Sequence, residues 1–106
     1  AVSADSVDDA AIRARIEADY RGWGQIWCPH TATAAEVYAR RKSHGKTSGP
    51  WVIVATAHPA KFREIVEPIL GIKVAVPESL AALFARETQV EDLAGEVAAL
   101  RHALSH

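Results

Sequence analysis

Hydrophobic positions recur at helical spacing over most of this chain. Ile12, Ile16 and Tyr20 fall every fourth residue and share one helical face, while Arg13, Arg15, Glu17 and Asp19 lie mostly elsewhere on it. Ser6, with Asp9 three positions on, reads as a serine cap and its capping-box acid, and Gly22 and Gly24 end the helix. Gln25–Cys28 is a short apolar stretch, extended because Cys28 precedes Pro29. A second helix starts at Pro29 or His30 and continues through Ala34, Val37 and Tyr38 to about Lys42, with an alanine-rich face suited to close approach. Ser43–Pro50 has the composition of a loop.

The pattern then changes. Trp51–Ala57 is apolar on both faces, which predicts a buried central strand of a parallel sheet and an α/β fold class. A third helix follows over Pro59–Leu70 with Phe62, Ile65, Val66, Ile69 and Leu70 inward, Pro68 as a shortening or kinking residue, and Gly71 at its end. Ile72–Val76 is a brief extended piece. Two closing helices are predicted at about Glu78–Arg86 and Gln89–Leu104. In the second, Val90, Leu93, Val97, Leu100 and Leu104 form a narrow apolar seam. Packing on a parent domain is the preferred reading of that seam, because a self-associating coiled coil needs three or four heptads.

One strand alone poses an energetic problem. Each buried, unpaired backbone group costs about 1–3 kcal/mol, against a total domain stability of about 5–15 kcal/mol. Ile72–Val76 supplies at best one partner, and a two-stranded ribbon cannot cover both faces and both edges. Either Trp51–Ala57 pairs with another copy, making a homodimer, or its neighbours lie in sequence outside this chain. The chain also has no methionine and begins at Ala1. A single partial domain, residues 1–106, trimmed or cut from a longer protein, is the expectation.

Composition narrows the functional classes. The 106 residues are 49% hydrophobic and 24% charged, the balance of a globular chain. Lys+Arg at 12 against Asp+Glu at 13 leaves a formal charge of −1, so no broad basic field exists to grip nucleic acid. The longest apolar stretch falls far short of the ~20 residues that span a bilayer. A single cysteine, Cys28, excludes an internal disulfide framework and any multi-Cys zinc site. No nucleic acid, membrane or metal is expected, and a cytoplasmic location is.

Four local patterns bear on chemistry. Gly45-Lys46-Thr47 lacks the first P-loop glycine, since Arg40 stands there, and its loop runs from helix to strand rather than strand to helix, so it reads as a solvated loop. Cys28 and His30 lie two apart across a proline and need not converge, so packing explains them better than metal binding or nucleophilic pairing. Arg40, Arg41, Lys42, His44 and Lys46 form a basic cluster that suits the negative end of a helix dipole. Thr56 stands at the carboxyl end of the predicted strand, with His58 and Lys61 in the turn that follows. Open α/β sheets place ligands at such strand ends, and helix starts favour anions. A strand-end hydroxyl and a surface lysine without a ligand are an equally good account of these residues.

The segments Pro29-His-Thr-Ala32 and Ala55-Thr-Ala-His-Pro-Ala-Lys-Phe62, in this order with a helix between them, resemble the C-terminal part of threonine synthase and threonine-synthase-like proteins. The resemblance is strongest over Cys28–Leu70 and loose over the last twenty-five residues. It implies a helix-rich C-terminal fragment of a tryptophan-synthase-like pyridoxal-phosphate fold, from an enzyme that converts O-phosphohomoserine and water to threonine and phosphate. It further implies that Thr56 sits against the pyridine nitrogen of pyridoxal phosphate, with His58 and Lys61 near the cofactor or the substrate phosphate. His30 and Thr31 would shape the same cleft. Many members carry an aspartate where this chain has Cys28, which bears on substrate identity. The Schiff-base lysine and the glycine-rich phosphate cradle belong to the long upstream region, so the remainder of the enzyme chain is an implied partner and this piece alone is expected to be inactive. A non-catalytic dimerisation module, or a descendant that binds a phosphorylated small molecule near Lys61, are the competing readings.

Overall fold

A computed structural model describes residues 2–105. Its elements are helices α1 (Asp9–Trp23) and α2 (Pro29–Ser43), a 3-10 turn (Pro59–Phe62), and helices α3 (Arg63–Leu70), α4 (Glu78–Phe84) and α5 (Val97–Leu104). The chain divides into two compact units, one running to Val76 and the other starting at Pro77.

Helix α1 starts at a different residue from the one its sequence suggests. Asp8, with extended backbone angles, accepts a hydrogen bond from the Ala11 N–H at 2.8 Å and is the cap. Ser6 instead offers its carbonyl to the Arg40 guanidinium at 3.1 Å. Removing the Asp8 carboxylate leaves a first-turn N–H to water alone. Asp8→Ala should therefore cost about 1 kcal/mol, read as a lower urea midpoint with an unchanged slope, while Asp8→Ser should be near neutral. At the other end, Gly24 rather than Gly22 terminates the helix, with φ of 76° and its N–H on the Tyr20 carbonyl at 2.9 Å.

Helix α2 begins with Pro29 in the first turn, where a missing N–H costs nothing. Its alanine face meets the expectation of close approach: Ala32 and Ala35 are buried, and α1 packs against both α2 and α3. Ile16 of α1 and Val66 of α3 are the largest aliphatic side chains fully removed from solvent. The polar side of the α1–α2 contact is an ion-pair network. Glu36 accepts from Arg15 of α1 at 2.9 Å and from Arg40, one turn along α2, at 2.8 Å. Arg15 also donates to Asp19 at 3.0 Å, and the other Asp19 oxygen accepts from the Trp27 indole at 2.8 Å. Burial by itself would raise the Glu36 carboxyl, but the hydrogen bonds and charges of the two arginines outweigh it and hold the group below its usual range.

The α/β expectation is overturned. Among the described residues there is no β-strand, and the expected strand Trp51–Ala57 has no regular secondary structure, with a bend at Ala57. It is not buried either: Val52 is 85% exposed and Val54 69%. A strand exists through its ladder, and among the described residues no ladder forms with this segment. Two helices are also shorter than their patterns imply. The third begins as the 3-10 turn and becomes α-helical only at Arg63, with Pro68 inside and Gly71 closing it at φ of 67°. The last spans Val97–Leu104, leaving Val90 and Leu93 of the seam outside any helix. Both flank a run with Glu91, Asp92 and Gly95, and the glycine raises the cost of helix there.

Glu67 fastens the exit from α3. Its carboxylate accepts from the Val74 N–H and from the Lys73 ammonium, each at 3.0 Å, and these bonds, the backbone one foremost, draw its pKa below the usual glutamate range. Val74 is thereby turned into the core.

Candidate functional site

The two segments that carry chemistry in the sequence are both helix starts. At the first, Cys28 caps α2: its sulfur accepts from the Thr31 N–H at 3.4 Å and lies 3.2 Å from the Thr31 hydroxyl. Cys28 and Thr31 are both buried, so this sulfur–hydroxyl pair satisfies itself inside the protein. Thr31 faces inward, and His30 beside it is exposed. At the second, His58 caps the 3-10 turn, its Nδ1 accepting the Ala60 N–H at 3.1 Å. An accepting Nδ1 carries no proton, so in the neutral ring the N–H is on Nε2.

The His30 ring joins the two starts. It meets Phe62 edge-to-face, with ring centroids 5.0 Å apart and planes at 65°, a geometry that aromatic quadrupoles favour. Ala60, between His58 and Phe62, is buried beneath this contact. His30, His58 and Lys61 are thus exposed side chains on neighbouring turns, and Thr56 is exposed two residues before His58. The Thr56 hydroxyl has no hydrogen-bond partner among the described residues. Of the expected site residues, Thr31 alone is withdrawn from the surface.

The basic cluster is largely spoken for. Arg40 is held by Glu36 and the Ser6 carbonyl, and Arg41 by Asp5 and Ser3. His44 Nδ1 lies 2.6 Å from the Arg40 carbonyl near the end of α2. Charge alone marked these residues as suited to a helix end; the carboxylate partner of Arg41, Asp5, lies more than thirty residues upstream, too far for any local pattern to show. Among the described residues no group of three or more His, Cys, Asp or Glu side chains is placed to hold a metal ion, and no helix is long and apolar enough to cross a membrane.

A family model described as the C-terminal part of threonine synthase matches residues 31–104. The chain belongs to the threonine synthase C-terminal family. It is 38% identical over 101 residues to the threonine synthase of Pseudomonas aeruginosa, a match taking in 94% of this chain and 21% of that protein. With the threonine synthase of Haemophilus influenzae it shares 46% identity over 57 residues, covering 54% of this chain and 13% of the relative. The Serratia marcescens enzyme is 40% identical over 58 residues, covering 55% and 13%. The chain therefore spans about a fifth of the length of the first of these relatives and less of the others'. No solved structure gives a significant match. Both helix starts, apart from Cys28–His30, lie inside the matched region.

Proposed function

We propose that this chain is the C-terminal portion of a threonine synthase that turns O-phosphohomoserine and water into threonine and phosphate, and that it supplies one wall of the pyridoxal-phosphate site. The observation that carries the reading is the exposed, unpartnered Thr56 hydroxyl, lying within the matched family region immediately before the His58 cap. A threonine hydroxyl suits a pyridine nitrogen, since it can donate to or accept from it. Being neutral, it leaves that nitrogen less protonated than a carboxylate would. Pyridoxal phosphate, when bound, supplies the electron sink for bond changes next to the amino-acid carbon.

The chain's own residues then have defined tasks. Thr56 orients the cofactor ring. Lys61 gives a cation, and His58 Nε2–H and the His30 ring give hydrogen-bonding groups, on the side where a phosphate would approach. Thr31 acts indirectly, by holding the α2 start through Cys28. Cys28 takes a position where the family resemblance implies an aspartate in many members, and its sulfur still caps the helix but brings no charge. A weaker hold on whatever that acid orients follows from the exchange.

The test needs the upstream body of the enzyme. A chimera that carries this chain in place of the matched region of the Pseudomonas aeruginosa enzyme provides it. Thr56→Val in that chimera should weaken cofactor binding about tenfold, the worth of one hydrogen bond of about 1 kcal/mol or slightly more, with the helical circular-dichroism signal unchanged. Titration of the cofactor absorbance band measures it; an unaltered affinity would refute the role given to Thr56.

A further inference from the structure

Two of the chain's three tryptophans, Trp23 and Trp27, line one open groove of the first unit, and the third, Trp51, lies against Tyr38 of the same lining. Trp23 and Trp27 meet edge-to-face with centroids 5.8 Å apart, and Tyr38 lies against Trp51 at 5.7 Å with planes tilted by 46°. Trp23, Trp27, Tyr38 and Ile53 line a groove of about 730 Å³. Much of this surface is in water: Trp23 is 64% exposed and Trp51 44%, and Val52 and Val54 extend the apolar area. The interior is small by comparison, with Ile16 and Val66 its largest fully buried hydrophobic side chains. An exposed patch that concentrates the largest apolar residues of a unit marks a surface built to be covered.

The polar groups at the groove say what kind of cover fits. Asp19 and Arg15 are paired with each other, and Asp19 also takes the Trp27 indole N–H. No buried side-chain nitrogen or oxygen among the described residues lacks a hydrogen-bond partner. Lys42 and Ser43 also stand in the lining, the Ser43 hydroxyl donating to the Arg40 carbonyl. The rest of the lining is aromatic and aliphatic, so a largely apolar protein surface with an acceptor for the Lys42 ammonium answers it. Four-fifths of the Pseudomonas aeruginosa relative lies outside the match, and the matching family region is described as C-terminal.

We infer that the Trp23–Trp27–Tyr38–Trp51 groove is the seat of the upstream catalytic body of the same enzyme, an inference that rests on the threonine synthase reading above. Hydroxyl-radical footprinting of the chimera and of the isolated chain, read by mass spectrometry, tests it. Oxidation of Trp23 and Trp51 should slow at least fivefold in the chimera relative to the dilute isolated chain. Equal rates overturn the inference, as does a chimera that fails to fold. An isolated chain that light scattering shows to be a dimer, with both tryptophans already protected, overturns it in favour of a second copy. The pair Trp23→Ser and Trp51→Ser gives an independent check. Together they should lower the melting temperature of the chimera while leaving the urea midpoint of the isolated chain nearly unchanged; equal destabilisation of both would assign the rings to the chain's own core. Protected tryptophans in a chimera that binds no cofactor would sink the Thr56 assignment and leave the groove standing.

Discussion

Ile16→Ala should destabilise the first unit by about 3 kcal/mol, within the range of about 2–5 found when a buried isoleucine or leucine is cut to alanine. Ile16 is wholly buried in the middle of α1, the helix that packs on both α2 and α3. The lost transfer energy of the side chain adds to the cost of the cavity left behind, because neighbouring groups relax only in part. Here relaxation is further restricted. Two of the three buried residues of α2, Ala32 and Ala35, are alanines, whose side chains have no rotamers with which to fill a void. Urea denaturation followed by circular dichroism measures the effect as a lower midpoint at constant slope. Ile16→Val, which removes one methyl group, should cost about 1 kcal/mol. A loss below that for the alanine variant would show that the α1–α2–α3 core is not what holds the unit together.

Glu36→Ala comes next, at about 2 kcal/mol. One carboxylate accepts from guanidinium groups on both helices, and hydrogen bonds involving charge contribute about 1.5–3 kcal/mol each. The Arg40 end is 42% exposed, and solvent screening discounts its share. Removing Glu36 also leaves Arg15, only 24% exposed, with Asp19 as its sole remaining carboxylate partner in this network. The pH dependence has a definite sign. The folded carboxyl titrates below the unfolded one, so its contribution is complete above the ordinary glutamate value of 4.5 and is lost as pH falls through the folded value. Wild-type stability should therefore fall on acidification from about pH 5 downward, and the Glu36→Ala profile should be flatter over that window. Glu67, also lowered, remains in both proteins and supplies a common background. Parallel profiles for the two proteins would remove Glu36 from the acid-sensitive set.

Several features were legible because they are local. The Pro29 start, the alanine face of α2 and the αL glycine after α3 depend on residues within a turn or two of one another, and the structure has all three. The cap of α1 was misplaced by two residues because Ser6 and Asp8 are both good caps, and a long-range contact separates them: Arg40 takes the Ser6 carbonyl. Helix α5 lost its first half for a different reason. An apolar seam shows which face would be buried, but it contributes nothing to stability until some surface buries it, and Val90 is 77% exposed.

The candidate site divides in the same way. Thr56, His58 and Lys61 are near neighbours in sequence, and the structure has them exposed on consecutive turns. Together with His30, Thr31 is placed in the cleft by the family resemblance. Its burial comes from the hydrogen bond with Cys28, since a helix turn sends successive side chains in different directions. The aromatic groove was not legible at all. Trp51 is separated from Trp23 and Trp27 by the whole of α2, and it is Tyr38 of α2 that both lines the groove with Trp23 and Trp27 and meets Trp51.

By itself, the sequence determined the helical framework of the first unit, the family and the cluster of exposed polar side chains near Thr56, since each rests on short-range spacing or on residue identity. Tertiary structure decided that residues 51–57 form no strand, that Arg41 of the basic cluster faces the Asp5 carboxylate far upstream, and that Trp51 meets Tyr38 of the groove lined by Trp23 and Trp27. The physical reason is common to all three. Strand pairing, ion pairing and burial are relations between distant segments, and a run of apolar residues specifies how much surface needs cover without specifying which surface will provide it.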